Sequence, residues 1–470
     1  MARRKKYRPP FEMYVDVLGD RGVGIGRHDG HPVHVRGAAP GTTIKVHAGR
    51  AKKGVLHGRK VALISGAKEG GVTPRCDAFG LCGGCTLQEL SLSAQRKEKQ
   101  AMVEALFSDE NQGSFTAHEI EGTDSGWEYR NKFELTFGVK RYLSDEDMAS
   151  GLPIVGRYLG FHAPGRFDRI VESDECGLMP EGLREVVQIV KEHMRNSDLE
   201  PWDVHEHTGF WRHLVLRETS LGERMAVFYT APIEGDASGE MEALAASLSG
   251  VDGVLWYENP RVADAAIGEL KAVLRGRDWV TERLNGLSFK LSPTSFFQTN
   301  TKGAEVLYDV IRRAALKGRP STIESETLLD LYCGTGSIGL SLCSDFDSVV
   351  GVELNEEAVE DARANAARND IKSARFHAGA VREVALTMNA DVVIVDPPRA
   401  GLHPKVSDWL PKLPGVSRIV YVACKPASLA RDRLIFEDAG WTMSDLWTVD
   451  MFPQTGHVEA VGLFVRRPES

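Results

Sequence analysis

The sequence lacks an apolar run of about 20 residues, the length that a transmembrane helix needs. Its basic start, MARRKKYRPP, is not followed by the apolar core of a signal peptide. We therefore expect a cytoplasmic protein that has no membrane partner and acts as a monomer. With 470 residues, 42% of them hydrophobic, the chain is long enough for two or three domains and for an enzyme.

The chain has few cysteines, and their number is odd. Seven cysteines in a chain of this length do not indicate a disulfide framework, which leaves metal binding and catalysis as uses for the thiols. We expect Cys333 and Cys343 to be core residues, because a buried cysteine behaves as a small hydrophobic side chain.

The net charge of −9 at first disfavours a nucleic-acid partner, but the charge is unevenly distributed. The first 66 residues carry 14 Lys or Arg against 4 Asp or Glu, so the remainder has a net charge of −19. A basic segment joined to an acidic body is typical of a nucleic-acid-binding arm, although a basic segment can also serve only solubility.

Residues 11–64 consist of short apolar segments separated by glycines, a pattern that predicts a small antiparallel β-barrel. Small barrels of this kind often present a basic face to single-stranded RNA. The basic residues available for such a face are Arg21, Arg27, Lys45, Arg50, Lys52 and Lys53.

The segment 67–295 is less regular and mixes strand-like and helix-like patterns. It opens with a cysteine cluster, after which Ser93 is a suitable N-cap for a helix through AQRKEKQAMVEALF. The segment SDEDMASG, around residue 147, is predicted to be an exposed loop.

From about residue 296, apolar strands alternate with helices. TLLDLYC, VVGVELN, DVVIVDPP and RIVYVAC are the strands, and EEAVEDARANAARN is a helix. This alternation predicts a parallel sheet covered by helices on both faces, with ligands bound at the carboxyl ends of the strands. Four side chains fall at those ends: Tyr332, Glu353, Asp396 and Cys424.

The segment DLYCGTGSIG indicates a nucleoside cofactor. Gly334 and Gly336 would let a ligand approach the backbone, and Glu353 follows about 20 residues later, where it could accept hydrogen bonds from ribose hydroxyls. The third glycine expected of a dinucleotide site is displaced to Gly339. The pattern therefore favours S-adenosylmethionine, with a dinucleotide as the main rival.

Asp396 and Cys424 suggest the chemistry. Asp396 opens DPPRAG, whose prolines would stiffen a loop suited to holding a planar base, although the carboxylate could simply cap the next segment. Cys424 ends its strand beside the expected methyl donor, although most such cysteines are core residues. Carbon 5 of uracil is a poor nucleophile, so an enzyme that methylates it benefits from a thiolate that adds to carbon 6.

A second cysteine set is Cys76, Cys82 and Cys85 in CDAFGLCGGC, together with Cys176 farther along the chain. Four thiolates can hold either zinc or an iron-sulfur cluster, and their spacing alone does not distinguish the two.

YVACKPASLARD resembles the signature of the RNA (uracil-5-)-methyltransferases, which usually reads Ser-Cys-Asn-Pro and then Leu-Ala-Arg-Asp. The resemblance extends, in the order usual for the family, through YRNK, SFFQTN, LDLYCGTGSIGL, VVGVELN, DPPRAG and DMFPQTGHVE. The barrel resembles a TRAM domain. RNA cytosine-5 methyltransferases are a near rival, but they use a second cysteine near the Pro-rich motif, and none lies between Cys343 and Cys424.

The resemblance implies a role for each matching residue. Cys424 would be the nucleophile and Glu459 the base that removes the proton from carbon 5, and a [4Fe-4S] cluster would be held by Cys76, Cys82, Cys85 and Cys176. Positions that bind the methyl donor would be Gln298, Tyr332, Gly334, Gly336, Glu353 and Asp396. The chain departs from the family pattern at Ala423, Lys425 and Gln454, and Lys425 could lower the pKa of the thiol or crowd the pocket.

These observations together predict three segments: a TRAM-like or OB-like barrel (1–66), an α+β central domain with the cluster (67–295) and a Rossmann-like class I methyltransferase domain (296–470). The expected activity is transfer of a methyl group from S-adenosylmethionine to carbon 5 of a uridine flipped out of RNA. The barrel and the cluster resemble the ribosomal RNA members, which favours 23S ribosomal RNA. The alternatives are a transfer RNA enzyme and a non-catalytic iron-sulfur RNA-binding protein.

Overall fold

The computed structural model describes residues 9–49, 51–108, 114–319, 325–386 and 388–467. The chain divides into two compact units: Met1–Thr73, Cys85–Gly126 and Lys302–Ser470 form the first, and Pro74–Gly84 and Trp127–Thr301 form the second. The barrel and most of the methyltransferase segment thus fall in one unit, and the division into the domains 1–66, 67–295 and 296–470 stays a prediction. Within the described ranges, no helix has the length and apolar character needed to cross a bilayer.

The first unit begins with the expected barrel, which is closed and has five strands. They are β1 (Phe11–Gly19), β2 (Val23–His28), β3 (His31–Arg36), β4 (Thr43–Ala48) and β5 (Leu56–Ser65), in the order β1-β2-β3-β5-β4. Neighbouring strands are antiparallel except β3 and β5. Alternate side chains such as Val33 and Val35 point inward and are fully buried, which explains the period of two in the sequence.

Helix α1 (Leu92–Ala105) and the short strands β6 (Thr116–Ala117) and β7 (Glu121–Gly122) also belong to the first unit. The predicted helix is present, but its N-cap is Ser91 rather than Ser93. Ser91 has an extended backbone, and its Oγ accepts a hydrogen bond from the N–H of Ala94. The helix therefore begins two residues earlier than its sequence indicated.

The second unit is built on a seven-stranded sheet, in the order β10-β9-β8-β11-β12-β13-β14, and a hairpin of β15 and β16. Its elements are β8 (Lys132–Lys140), α2 (Asp145–Ala149), β9 (Val155–Ala163), β10 (Arg166–Val171), α3 (Glu181–Asn196), β11 (Trp211–Glu218), β12 (Arg224–Thr230), α4 (Ser238–Ser247), β13 (Gly253–Glu258), β14 (Glu269–Gly276), β15 (Val280–Leu284) and β16 (Leu287–Leu291). This mixture of helices and mainly antiparallel strands is the expected α+β architecture.

The prediction of an exposed loop around residue 147 was wrong, because α2 forms there. The N–H of Asp147 donates to Ser144 Oγ, and the N–H of Ser144 donates to Asp147 Oδ2. These reciprocal bonds satisfy two donors at the start of a helix and stabilise a single turn that composition alone did not reveal.

The remainder of the first unit carries a nine-stranded sheet in the order β19-β18-β17-β20-β21-β23-β22-β6, with β7 also paired to β22. Its elements are α5 (Thr301–Leu316), β17 (Thr327–Leu331), α6 (Ser337–Ser341), β18 (Ser348–Glu353), α7 (Glu356–Arg368), β19 (Ala374–Ala378), α8 (Val381–Ala385), β20 (Val392–Val395), α9 (Pro404–Ser407), β21 (Arg418–Ala423), α10 (Pro426–Asp438), β22 (Trp441–Asp450) and β23 (Glu459–Arg466). Strands β17 to β21 are parallel, whereas β23 runs antiparallel to β21 and β22. The fold is that of a class I methyltransferase, as predicted.

Candidate active site

Four of the predicted site residues meet at one edge of the large sheet. Tyr332 follows β17, Glu353 ends β18, Asp396 follows β20 and Cys424 follows β21. Strand β17 pairs in parallel with β18 and β20, and β20 pairs in parallel with β21, so the carboxyl ends of all four strands lie side by side. A ligand at this edge can contact all of them.

The glycine turn after β17 combines an open position with a closely packed one. The space around Gly334 is open, so a ligand can approach the backbone there, whereas Gly336 has φ 79° and a Cβ atom on it would lie 2.8 Å from the ring of Phe376. The N–H of Gly334 donates to Glu353 Oε2 at 3.2 Å, and the N–H of Asn355 donates to Oε1 at 2.9 Å. The carboxylate of Glu353 is therefore fixed beside the turn, where it can hold the hydroxyls of a ribose.

Asp330 is a buried carboxyl that the sequence reasoning missed. It lies within β17, is fully buried, and accepts a hydrogen bond from the N–H of Gly339 through Oδ2 at 2.9 Å. Burial raises its pKa to about 7. A charged residue within an otherwise apolar strand could have indicated this site in the sequence, because a carboxylate is rarely buried without a hydrogen-bond partner.

Cys424 and Glu459 are brought together by the antiparallel pair β21 and β23. Ala423 is the partner of Ala460 in this ladder, so the residues next to them, Cys424 and Glu459, lie at the same edge. Glu459 is 7% exposed, and burial together with Asp396 raises its pKa well above the ordinary value. Burial, with smaller effects of Glu459 and Asp396, raises the pKa of the Cys424 thiol to about 11.

Arg399 and His457 are two further residues of this site. The guanidinium of Arg399 lowers the pKa of Cys424 and of Glu459, opposing the effect of burial. Its Nη2 lies 3.3 Å from His457 Nδ1, and burial lowers the pKa of His457 to about 4, which keeps the ring neutral near pH 7. Arg399 lies in the segment DPPRAG. A cation in that loop, close to the expected methyl-donor site, was the feature of the sequence from which its role could have been predicted.

We expect the reactivity of Cys424 to increase with pH well beyond 9.0, the ordinary thiol value, because the thiolate is the reactive form and its pKa is raised to about 11. Arg399→Gln should move this profile to higher pH, since the cation that lowers the pKa is lost. Alkylation of Cys424 by iodoacetamide, followed by peptide mass spectrometry, measures the profile. Lys425→Asn is the matched control, and a larger shift in that variant would assign the effect to Lys425 instead.

Helix α1 holds the turn that connects β22 to Glu459. The side chains of Gln95 and Gln454 form a reciprocal pair: Gln95 Nε2 donates to Gln454 Oε1 at 2.9 Å, and the N–H of Gln454 donates to Gln95 Oε1 at 2.8 Å. The carbonyl of Gln454 accepts from the N–H groups of Thr86 and Leu87. Gln454, one of the departures from the family pattern, is thus buried, has φ 68°, and forms hydrogen bonds through its backbone N–H, its carbonyl and its side-chain Oε1.

An ion pair with both partners buried fixes the start of the same turn. Lys99 Nζ donates to Asp450 Oδ1 and to the carbonyl of Phe452, and both charged side chains are 0% exposed. Lys99 and Gln95 are four residues apart, so they share one face of α1. That face therefore orders the segment that leads into β23 and Glu459.

Lys99→Met should lower the free energy of unfolding by about 3 to 5 kcal/mol, because it leaves the buried carboxylate of Asp450 without its closest cation. Arg96, 3.5 Å from Asp450 Oδ2, compensates only in part. Lys97→Met, an exposed position on the same helix, is the control and should stay within about 0.5 kcal/mol. Urea unfolding measures both, and equal stabilities of the two variants would contradict the role of the ion pair.

Gln298 belongs to the second unit, unlike the other residues predicted to bind the methyl donor. Its carbonyl accepts from Asn131 Nδ2 at 2.9 Å, and the same amide donates to Thr301 Oγ1. Thr301 Oγ1 in turn donates to the buried Glu282. The structure therefore joins YRNK and SFFQTN, two segments that are far apart in the sequence.

The second cysteine set is brought together only in part. Cys76, Cys82 and Cys176 lie in the second unit, and the first two raise the pKa of Cys176, which burial raises to about 11. Cys85 belongs to the first unit. In the ranges that the structure describes, no group of three or more His, Cys, Asp or Glu side chains is positioned to hold a metal ion. Cys333 is buried, as expected, and Cys343 is partly buried.

The chain matches a family model and many known proteins. Residues 268–468 match the model described as tRNA (Uracil-5-)-methyltransferase. An RNA methyltransferase of Caldanaerobacter subterraneus subsp. tengcongensis, itself uncharacterized, is 35% identical over 96% of this chain and 97% of its own length. A similar protein of Clostridium tetani is 33% identical, with 98% of each chain covered.

Among solved structures, the chain is similar to the tRNA (uracil-54, C5)-methyltransferase of Pyrococcus abyssi, determined in complex with S-adenosyl-L-homocysteine. The two share 26% sequence identity with a TM-score of 0.73, and the match covers 97% of this chain and 100% of the other. The similarity therefore includes residues of both compact units and is not limited to the methyltransferase segment.

Proposed function

We propose that this chain, which belongs to the RNA (uracil-5-)-methyltransferase family, methylates a uridine of 23S ribosomal RNA through a transient bond to Cys424. The resemblance of its barrel and its cysteine set to those of the ribosomal RNA members is what supports that substrate. It is an enzyme that uses S-adenosylmethionine as its methyl donor. The observation that carries the mechanistic proposal is the placement of Cys424 and Glu459 side by side at the same sheet edge as the glycine turn, with the end of β20 and Asp396 between this pair and the turn. An enzyme that acts on ribosomal RNA would work in the cytoplasm, and its monomeric state stays a prediction.

In this mechanism the Cys424 thiolate forms a bond to carbon 6 of the uracil, and the electron pair of the carbon 5–carbon 6 double bond moves into an enolate. Carbon 5 then takes the methyl group from the sulfonium of the donor. Glu459 removes the proton from carbon 5, the electron pair of that C–H bond re-forms the carbon 5–carbon 6 double bond, and the sulfur leaves carbon 6 as a thiolate. The products are 5-methyluridine and S-adenosylhomocysteine, and Cys424 is restored.

The raised pKa values of two carboxyls at this site support the role of Glu459 as a base. Burial raises the pKa of Glu459 well above its ordinary value and that of Asp396 to about 7, and a carboxylate with a raised pKa is a stronger base than an ordinary one. Asp396 would face both the methyl donor and the uracil. Tyr332, Gly334, Gly336 and Glu353 would hold the rest of the donor, and the role of Gln298 in donor binding stays a prediction.

The identity of the RNA is tested by mapping 5-methyluridine in ribosomal and transfer RNA from a strain that lacks the gene. Loss of one or more sites in 23S ribosomal RNA is the expected result. A transfer RNA target is the second candidate, favoured by the similarity to the Pyrococcus abyssi enzyme, and loss confined to transfer RNA would select it. Restoration by the wild-type gene and not by a Cys424→Ala allele links the modification to this site.

We further propose that Cys76, Cys82, Cys85 and Cys176 hold a [4Fe-4S] cluster with a structural role. Four thiolates are a complete ligand set for such a cluster, and the electrostatic influence of Cys76 and Cys82 on Cys176 supports their proximity. Protein purified without oxygen should contain bound iron and should show the visible absorption spectrum of an iron-sulfur centre. Cys176→Ser should lose both, and stoichiometric zinc in the wild type would instead indicate a zinc site.

The barrel is the proposed RNA-binding arm. The side chains of Arg21, Arg27, Lys45, Lys52 and Lys53 are exposed on it, whereas Arg50 lies outside the described residues. Exposed cations on a small barrel are available to bind phosphates, which supports the interpretation of the uneven charge distribution. Its identity as a TRAM domain stays a prediction.

A further inference from the structure

We propose that Phe167 and His205, in the second unit, form a stacking platform for an unpaired base of the RNA substrate. The platform takes no part in methyl transfer, so it would contribute to RNA affinity rather than to the chemical step. The proposal rests on RNA being the substrate of this enzyme and does not depend on the role of Cys424.

The two rings are exposed and adjacent. Phe167 lies on β10, just after the turn at Pro164 and Gly165, and is 62% exposed. His205 lies on the loop before β11, its side chain is 47% exposed, and its ring centroid is 5.8 Å from that of Phe167. A single exposed aromatic side chain needs no explanation, but two neighbouring rings offer π-faces on which a base can stack.

Charged side chains of both signs lie beside these rings. Arg166 donates two hydrogen bonds to Asp168, at 3.0 and 3.1 Å, and Arg169 lies 3.4 Å from the same carboxylate. His205 Nε2 is 3.7 Å from Asp168, whose pKa is lowered to about 2 by its bonds to Arg166. Asp203, which accepts a hydrogen bond from the N–H of His205, lies 3.9 Å from Lys140. The three cations Arg166, Arg169 and Lys140 thus outnumber the two carboxylates paired with them, which gives the platform a positive rim suited to the phosphates of a single strand.

The crevice beneath the platform is too small to accept a base. It is lined by Phe167 and His205 with Thr136, His162 and Trp202, and its volume of about 10 Å³ has room for one water molecule. A flipped uracil therefore cannot enter here, and the exposed ring faces are the part of this surface that a base can contact.

The hairpin that carries Phe167 is supported by the cysteine-bearing segment of the same unit. Ala163 and Val171, at the two strands of the hairpin, form a buried cluster with Ala78. Ser173 Oγ donates to Asp77 Oδ1 at 2.7 Å. A rigid support beneath the hairpin lowers the conformational entropy that is lost when an RNA base stacks on Phe167. The segment around Cys76 and Cys82 would therefore support the platform.

The test uses the full-length protein and fluorescein-labelled oligouridylate, with binding followed by fluorescence anisotropy over a series of salt concentrations. Phe167→Ala should weaken binding about 5- to 100-fold, the loss expected for one stacked base. The slope of log affinity against log salt should not change, because the lost contact carries no charge. Phe167→Trp should retain the wild-type affinity, and the fluorescence of the added indole should be quenched when the oligonucleotide binds.

Leu221→Ala, a half-exposed hydrophobic position in the same unit, is the control and should bind as the wild type does. Equal affinities of Phe167→Ala and Leu221→Ala would overturn the platform, as would an indole in Phe167→Trp that is insensitive to RNA. Failure of the wild-type protein to bind or methylate any RNA would instead contradict the proposed function, so the two failures are distinguishable.

Discussion

Cys424→Ala should abolish methylation of RNA, with a loss of more than about 10⁴-fold in rate, because removal of a nucleophile removes the pathway and not only one stabilising contact. Incorporation of labelled methyl groups from S-adenosylmethionine into RNA measures the rate. Binding of the methyl donor and of RNA should persist, since Cys424 is partly exposed at a strand end and its truncation leaves little cavity.

A uridine that carries fluorine at carbon 5 provides a direct readout of the bond to sulfur. The adduct forms and takes the methyl group, but fluorine cannot leave as a cation, so no base can complete the reaction. The wild type should therefore give an RNA–protein complex that survives denaturation, with the cross-link at Cys424. Cys424→Ser preserves the shape of the side chain and serves as the matched control, and methylation by Cys424→Ala at the wild-type rate would exclude the thiol mechanism.

The strand ends of the candidate site could be predicted from sequence because local patterns determine them. The apolar runs that end at Tyr332, Glu353 and Cys424 are recognisable as buried strands, and parallel strands necessarily place their carboxyl ends at one edge. The same reasoning gave the barrel, whose glycines and alternating side chains are also local signals.

Contacts between distant segments could not be predicted in this way. Nothing in the local pattern of α1 shows that Gln95 and Lys99 hold a turn about 350 residues later in the chain, because that pairing depends on the tertiary fold. The bond from Asn131 to the carbonyl of Gln298 is likewise a contact between segments that are distant in the sequence. The helix α2 was missed for a different reason, since the cap formed by Ser144 and Asp147 outweighed a composition typical of loops.

The charge of the site follows from the same tertiary fold. Asp330, Asp396 and Glu459 come from β17, β20 and β23 and lie where burial raises the pKa of each, and Arg399 opposes that effect on Glu459. A sulfonium is cationic, so a methyl donor bound nearby would favour the ionised forms of these carboxyls. The positive charge of the bound donor would lower the pKa of Glu459, and the ionised Glu459 would in turn stabilise the bound donor.

Glu459→Gln should separate the two halves of the reaction. Formation of the bond between Cys424 and the uracil does not require the carboxylate, so the adduct should still form and take the methyl group. Removal of the carbon 5 proton should slow about 10²- to 10⁴-fold, the usual contribution of a positioned base. Release of tritium from RNA labelled at carbon 5 measures that step, and the methylated adduct should accumulate on denaturing gels.

Glu360→Gln, at an exposed carboxylate of α7, is the control. Tritium release at the wild-type rate would assign the base to another residue, whereas loss of the adduct itself would place Glu459 in the first half of the reaction, because the buried carboxylate would then be needed to position the thiol or the uracil.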